Sequence, residues 1–191
     1  MKIPVVQRRN EMEEKIVYFE KPGKENTAEV IPLIKERARA RGIKKIVLAS
    51  TRGDTARAAA ESFKDTGLQL VVIPWQYGFR DTQPFPQELV ADLQQKGHRV
   101  HFGTMLFHTD DLYGIKTPQL MANLLRIFGQ GIKVCVEIIM MACDGGCIAM
   151  GEKVIAVAGA GAGADTAIVA TASPSTKMSG LRVHEVICKP L

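Results

Sequence analysis

The feature that most constrains the fold is a strand running through a hydroxyl-rich turn straight into a helix. Ile46-Val47-Leu48-Ala49 is a short apolar run, Ser50-Thr51-Arg52-Gly53-Asp54 has turn chemistry, and residues 55–63 are rich in alanine. In that arrangement backbone N–H groups and hydroxyls converge on the positive end of a helix, where a phosphate binds well.

The same alternation runs along the chain and predicts the α/β class, a parallel sheet with helices on both faces. A strand is expected at 16–19, then a turn at Pro22-Gly23. A helix capped by Asn26 or Thr27 runs to about residue 41, with Gly42 as its stop. After the strand at 46–49 and the helix at 55–64 come a strand at 68–73, a helix at 86–96 ended by Gly97, and a strand at 99–102. Residues 103–114 form a long loop, and such loops in compact domains are often functional. Thr117-Pro118 then opens a helix, with Pro at its first position. Its apolar content continues to residue 141 through Gly129-Gln130-Gly131, where a kink or close backbone packing is expected. Being apolar on every side, this helix is expected to be largely buried. A strand at 154–158, a glycine turn at 159–163 and strands at 167–170 and 181–188 complete the pattern. With no repeat, linker or composition break, residues 1–191 read as one domain.

Size and charge exclude several classes. A length of 191 residues suits one domain and is short of the roughly 250 that a (β/α)8 barrel needs. Net charge is +5, and the basic cluster Arg37, Arg39, Arg41, Lys44 and Lys45 has no aromatic residues among it. It reads as a solvated helix end complementing the helix dipole, and no nucleic-acid partner is expected. Residues 1–14 are mostly polar and charged, unlike a secretory leader, and no apolar run of about 18 residues is present. Cys135, Cys143, Cys147 and Cys188 contain no CxxC pair, so buried reduced thiols are expected rather than a metal site. Together these point to a cytoplasmic protein that does not engage a membrane.

Four segments can carry chemistry. Ser50, Thr51, Gly53 and Thr55 fit S-T-x-G-x-T, in which glycine permits positive φ and the hydroxyls donate to phosphate oxygens. The turn resembles the flavin-mononucleotide phosphate loop of flavodoxins; plain helix capping is the competing reading. Asp54 would repel a phosphate unless it points aside, with Arg52 or Arg57 compensating. Residues 159–164 contain G-x-G-x-x-A, but the β-branched stretch that follows is strand-like, and a dinucleotide fold requires a helix there. A glycine turn approached closely by a ligand or a neighbouring backbone is the better reading. Trp75-Gln76-Tyr77-Gly78-Phe79-Arg80 follows a strand end, on the side of the first turn, and suits stacking on a flat ring or packing over the sheet. In the long loop, His108, Asp110 and Asp111 can do acid–base work or bind a metal, or they lie in a solvated lid. Glu137, in an apolar helix, needs a partner or faces the site. The remaining lysines and arginines show no constellation. His184 and Glu185 point to opposite faces of a strand and cannot form one catalytic pair.

On these residues the chain resembles the pyruvate kinase C-terminal domain family, and more closely the small stand-alone archaeal proteins of that fold. The likeness is carried by Pro22-Gly23-Lys24-Glu25-Asn26-Thr27, by 47–55, by Gly78-Phe79-Arg80, by 133–138, by Gly163-Ala164-Asp165-Thr166-Ala167 and by His184-Glu185-Val186-Ile187. It implies a three-layer α/β/α sandwich whose mixed, mostly parallel sheet has an antiparallel last strand. It also implies that Ser50, Thr51, Gly53 and Thr55 match a loop that holds an activator's phosphate in pyruvate kinases. Asp54 departs from that family's basic or small residue, which argues against a sugar bisphosphate. Kinase chemistry resides in a barrel domain that these residues do not form, so pyruvate kinase activity is not expected.

The resemblance to the stand-alone group implies bound flavin mononucleotide. In a sheet of order 3-2-1-4-5 the turn at 50–55 and the turn at 159–166 would flank the switch point, where ligands of open α/β sheets bind. The expected cofactor-binding residues are Ser50, Thr51, Arg52, Gly53, Asp54, Thr55, Gly78, Phe79, Arg80, Gly159, Ala160, Gly161, Gly163, Asp165 and Thr166. The expected function is binding of flavin mononucleotide, with flavin redox activity in view. The alternatives are a non-catalytic module sensing a sugar phosphate or another phosphorylated metabolite, and a hydrolase or lyase using His108, Asp110 or Glu137. A homo-oligomer is a further expectation, from the apolar middle of the chain.

Overall fold

The computed structural model describes residues 12–191; most of the polar segment read above as unlike a leader lies outside them. One seven-stranded sheet runs through the described residues in the order β1-β7-β6-β5-β2-β3-β4. The strands are β1 (Val17–Phe19), β2 (Lys45–Ala49), β3 (Gln69–Ile73), β4 (Arg99–Val100), β5 (Lys153–Ala158), β6 (Thr166–Thr171) and β7 (Arg182–Pro190). The helices are α1 (Thr27–Arg41), α2 (Asp54–Ser62), α3 (Gln87–Gln95), the short α4 (Asp110–Tyr113), α5 (Thr117–Arg126) and α6 (Gln130–Asp144).

Strands β2, β3, β4 and β5 pair in parallel, and the central run β4-β3-β2-β5-β6 has the expected 3-2-1-4-5 order. The last strand pairs antiparallel with β6, as expected. Because β6 itself runs against β5, β7 regains the direction of the parallel strands and β1 adds to it in parallel.

Period-two alternation sorts the central strands into two cores. Ile46, Leu48, Leu70, Val72, Ile155 and Val157 face α1, α2 and α3, where Val30, Ile34, Ala59, Leu89 and Leu93 meet them. Val47, Val71, Val154, Ala156 and Ile168 face α6 through Cys135, Ile138, Ile139 and Ala142. The result is a three-layer α/β/α sandwich.

Several expectations need correction. The long helix over 117–141 is two helices, because Gly129 takes φ +128° and breaks the chain between α5 and α6. Only α6 is buried as expected. In and just after α5, Ala122 is buried while Leu120, Leu124, Ile127 and Phe128 are exposed, so this stretch shows an apolar stripe to the outside. The segment at 103–114 is not a bare loop: it holds a single 3₁₀ turn, Leu106–His108, and α4. The basic cluster is not simply solvated. Arg37 is buried and, with Arg41, grips Glu185 on β7, while both also reach Glu14, so the helix end is bolted to that strand.

Candidate functional site

At the switch point β2 and β5 lie side by side in parallel. The chain leaving β2 turns through residues 50–53 into α2, whereas the chain leaving β5 turns back into β6. The two departing turns leave a crevice outside the strand ends. A cavity of about 340 Å³ opens there. Its walls come from the turn after β2, the segment after β3, the 3₁₀ turn, α6 and the hairpin after β5.

The first wall is the hydroxyl turn. Gly53, at φ +91°, takes the position before α2, and a side chain there would strike Leu89. No side chain at that position caps the helix; the Ala56 N–H donates to Ser50 Oγ at 3.3 Å. Ser50, Thr51, Arg52, Asp54 and Thr55 all line the cavity, so the positive end of α2 faces it. Asp54 is exposed, and Arg57 is turned toward Glu88 at 3.8 Å, which leaves Arg52 as the turn's cation at the cavity.

The second wall is on α6. Lys133 and Glu137, one turn apart, are 1% and 3% exposed, and both line the cavity. Lys133 Nζ donates to Glu137 Oε2 at 2.6 Å and lies 5.2 Å from the Phe107 ring centre. Glu137 Oε1 accepts the Phe107 N–H at 2.9 Å and has His108 Nδ1 at 3.4 Å, so the carboxylate also ties down the loop. Burial pushes the Glu137 carboxyl up, but His108, Lys133 and the Phe107 N–H together outweigh it and hold the group below its ordinary range. The Lys133 ammonium has one carboxylate to offset its burial, and burial wins, lowering its pKa.

Aromatic residues form the third wall. Trp75 and Phe79 meet edge to face at 5.1 Å, and Phe79 meets the His108 ring at 5.4 Å. The Arg80 guanidinium lies 5.7 Å from the Phe79 ring centre and 6.0 Å from that of Trp75, outside the cavity lining. Gly78, at φ +80°, makes the turn that brings Phe79 back, and Tyr77 packs on Phe102 instead.

Of the hairpin after β5, Gly159, Gly161, Ala162 and Gly163 line the cavity. A side chain on Gly163 would meet the Lys24 backbone, so a neighbouring chain does come close to this turn. Ala160, Asp165 and Thr166 are not in the lining. Asp165 is fully buried and accepts the N–H groups of Gly23 (3.1 Å) and Ala160 (3.0 Å) and the Thr166 hydroxyl (2.7 Å), so it pins the hairpin to the Pro22-Gly23 turn. Thr166 packs against Gly131 of α6.

Other candidates fall outside the crevice. Asp110 accepts the Gln119 N–H at 3.3 Å, Asp111 is exposed, and His184 bonds Thr171 on the neighbouring strand at 2.7 Å. All four cysteines are free; burial pushes the Cys135 thiol up and that of Cys188 to about 12. Among the described residues no three His, Cys, Asp or Glu side chains converge on a metal site, and no helix is long and apolar enough to cross a membrane. Lys133 is the site residue that sequence reasoning passed over. Its signal was a Lys–Glu pair at i, i+4 on a helix otherwise apolar all round.

Fold and crevice together define an α/β/α protein with a small-molecule-sized cavity at its switch point. No protein-family profile matches the chain. Among solved structures, a pyruvate kinase from Cryptosporidium parvum is similar at a TM-score of 0.43 and 16% identity, over 80% of this chain. The match spans 24% of that enzyme's length.

Proposed function

We propose that the crevice binds a phosphorylated ligand with a flat ring, flavin mononucleotide being the leading candidate, and that the phosphate sits on the turn from Ser50 to Thr55. The observation that carries this reading is the convergence of three unlike walls on one cavity: the hydroxyl turn at the positive end of α2, the Trp75–Phe79 pair and the buried Lys133–Glu137 pair. The residues fit that group's chemistry. Ser50, Thr51 and Thr55 carry hydroxyl donors, Arg52 adds a cation, and the cavity falls within the range of about 300–1,000 Å³ usual for small-molecule sites. A bound flavin would supply electron transfer, and the chain's own contribution would be to hold the phosphate, shelter the ring and present Lys133 and Glu137 beside it. Asp54 at the cavity weighs against a bisphosphate, since its carboxylate would repel the added negative charge.

The test is a flavin mononucleotide titration of the purified chain, followed by fluorescence. Ser50→Ala with Thr55→Ala weakens binding by about 1–3 kcal/mol, the cost of unmade charge-assisted bonds. Full affinity in the double variant would sink the phosphate assignment. A colourless protein carrying another phosphorylated compound, identified by mass spectrometry, would shift the reading to a metabolite sensor.

A further inference from the structure

The pair on α6 calls for an explanation that stability does not supply. Taking an ammonium and a carboxylate out of water costs several kcal/mol per ion, and an apolar pair of similar volume generally serves a fold as well. Lys133 and Glu137 are nonetheless both buried, 2.6 Å apart, on the wall of a cavity that the hydroxyl-rich turn also lines.

From this geometry we infer that Lys133 is a nucleophile whose amine condenses with the carbonyl carbon of a phosphorylated aldehyde or ketone seated in the crevice, with Glu137 moving the protons. The inference rests on the phosphorylated-ligand reading above and adds the reactive group that this reading lacks. Desolvation favours the neutral, nucleophilic form of a lysine, which is how buried lysines become imine-forming residues.

Each step balances. Glu137 Oε2 takes a proton from the Lys133 ammonium, and the freed nitrogen pair attacks the carbonyl carbon. The C–N bond forms as the C=O π electrons move to oxygen, which collects a proton from the same nitrogen. Glu137 then returns its proton to the resulting hydroxyl, water leaves, and the nitrogen pair closes a protonated imine. The net change is one ammonium and one carbonyl giving one iminium and one water, with no oxidant or reductant.

The surroundings suit this role. Glu137 Oε1 is held by the Phe107 N–H, which fixes the carboxylate while Oε2 faces the amine. His108, 3.4 Å from Oε1 and 31% exposed in its side chain, lies between the carboxylate and solvent. A phosphate held at Ser50 to Thr55 would restrain the ligand while its carbonyl meets the amine.

Pyridoxal 5′-phosphate, an aldehyde with a phosphate and a flat ring, is a suitable probe. The full chain is incubated with it, reduced with borohydride, digested and mapped by mass spectrometry, with exposed lysines such as Lys64 as internal controls. The expected result is a dominant reduced adduct on Lys133 that millimolar inorganic phosphate suppresses and that pyridoxal without phosphate forms at least tenfold less. Glu137→Gln, checked for folding by its melting curve, slows trapping tenfold or more when both proteins are saturated with the probe. If the probe binds, is displaced by phosphate and is lost with the Ser50 and Thr55 substitutions, yet Lys133 carries no adduct, the nucleophile is refuted and the phosphate reading stands. Labelling of Lys133 that ignores both phosphate and the turn substitutions overturns the phosphorylated substrate class. Labelling of exposed lysines alone, with no phosphate-sensitive binding, overturns both. The wild-type peptide map decides these outcomes even where a variant fails to fold.

Discussion

Replacing Lys133 with methionine removes the charge and keeps most of the stem. At 2.6 Å and an effective dielectric of about 20, the attraction between Lys133 and Glu137 is about 6 kcal/mol. Desolvating the two ions costs a comparable amount, so the intact pair adds little net stability. Removing the ammonium alone leaves a buried carboxylate with only the Phe107 N–H and His108 to offset its desolvation, and the expected loss is about 3–5 kcal/mol. Adding Glu137→Gln, which keeps an oxygen for the Phe107 N–H, recovers most of that loss. Urea unfolding at pH 7 with linear extrapolation measures all three proteins. The single variant also weakens a pH dependence. In the native protein His108, Lys133 and the Phe107 N–H hold the Glu137 carboxyl low, so its contribution is lost as pH falls through the lowered folded-state value; in Lys133→Met one of those three is gone, and less stability is lost over that range. A loss below about 1 kcal/mol, the size seen for exposed pairs, would show that water reaches this pair and refute the buried-charge reasoning. A double variant as unstable as the single would show that packing of the lysine stem, not charge, was lost.

Gly131→Ala gains about 1 kcal/mol in helix propensity but drives a new Cβ into Thr166 Oγ1, and such overpacking costs about 1–3 kcal/mol. A fall in melting temperature is expected, and a rise would contradict the close approach of α6 to β6. Glu185→Gln gives up charge-assisted bonds from Arg37 and Arg41 and is expected to cost about 1.5–3 kcal/mol in the same urea assay. Burial raises the Glu185 carboxyl, but Arg41 and Arg37 lower it further, so its stabilisation is complete above the ordinary carboxylate value of about 4.3 and is lost as pH falls through the lower folded-state value. Stability followed from pH 7 to pH 3 should therefore fall less steeply in Glu185→Gln than in the native chain; equal slopes would contradict the role given to this carboxylate.

Much of the site was legible because its signals are local. The turn at 50–55 declares itself through small hydroxyl residues and a glycine between a strand and a helix, and the structure does put it at the cavity. The hairpin glycines were readable for the same reason. Asp165 and Thr166 sat in the same motif but turned to structural work, because their partners, Gly23 and Gly131, are far away in sequence. The basic helix end was misread likewise: the residue that binds Arg37 and Arg41 is on β7, more than 140 positions on.

What the sequence alone determined is the α/β class, the run of the main strands and the turn chemistry at the strand ends. All of these follow from periodicity and backbone preference within a few residues. Tertiary structure decided which distant segments share a surface. The direction of β6, the break at Gly129 and the meeting of Lys133 and Glu137 with the loop at Phe107 and His108 arise from sheet pairing and layer packing. Those are long-range choices that no local window encodes, and they make a hydroxyl-rich turn one wall of a cavity that a buried amine also lines.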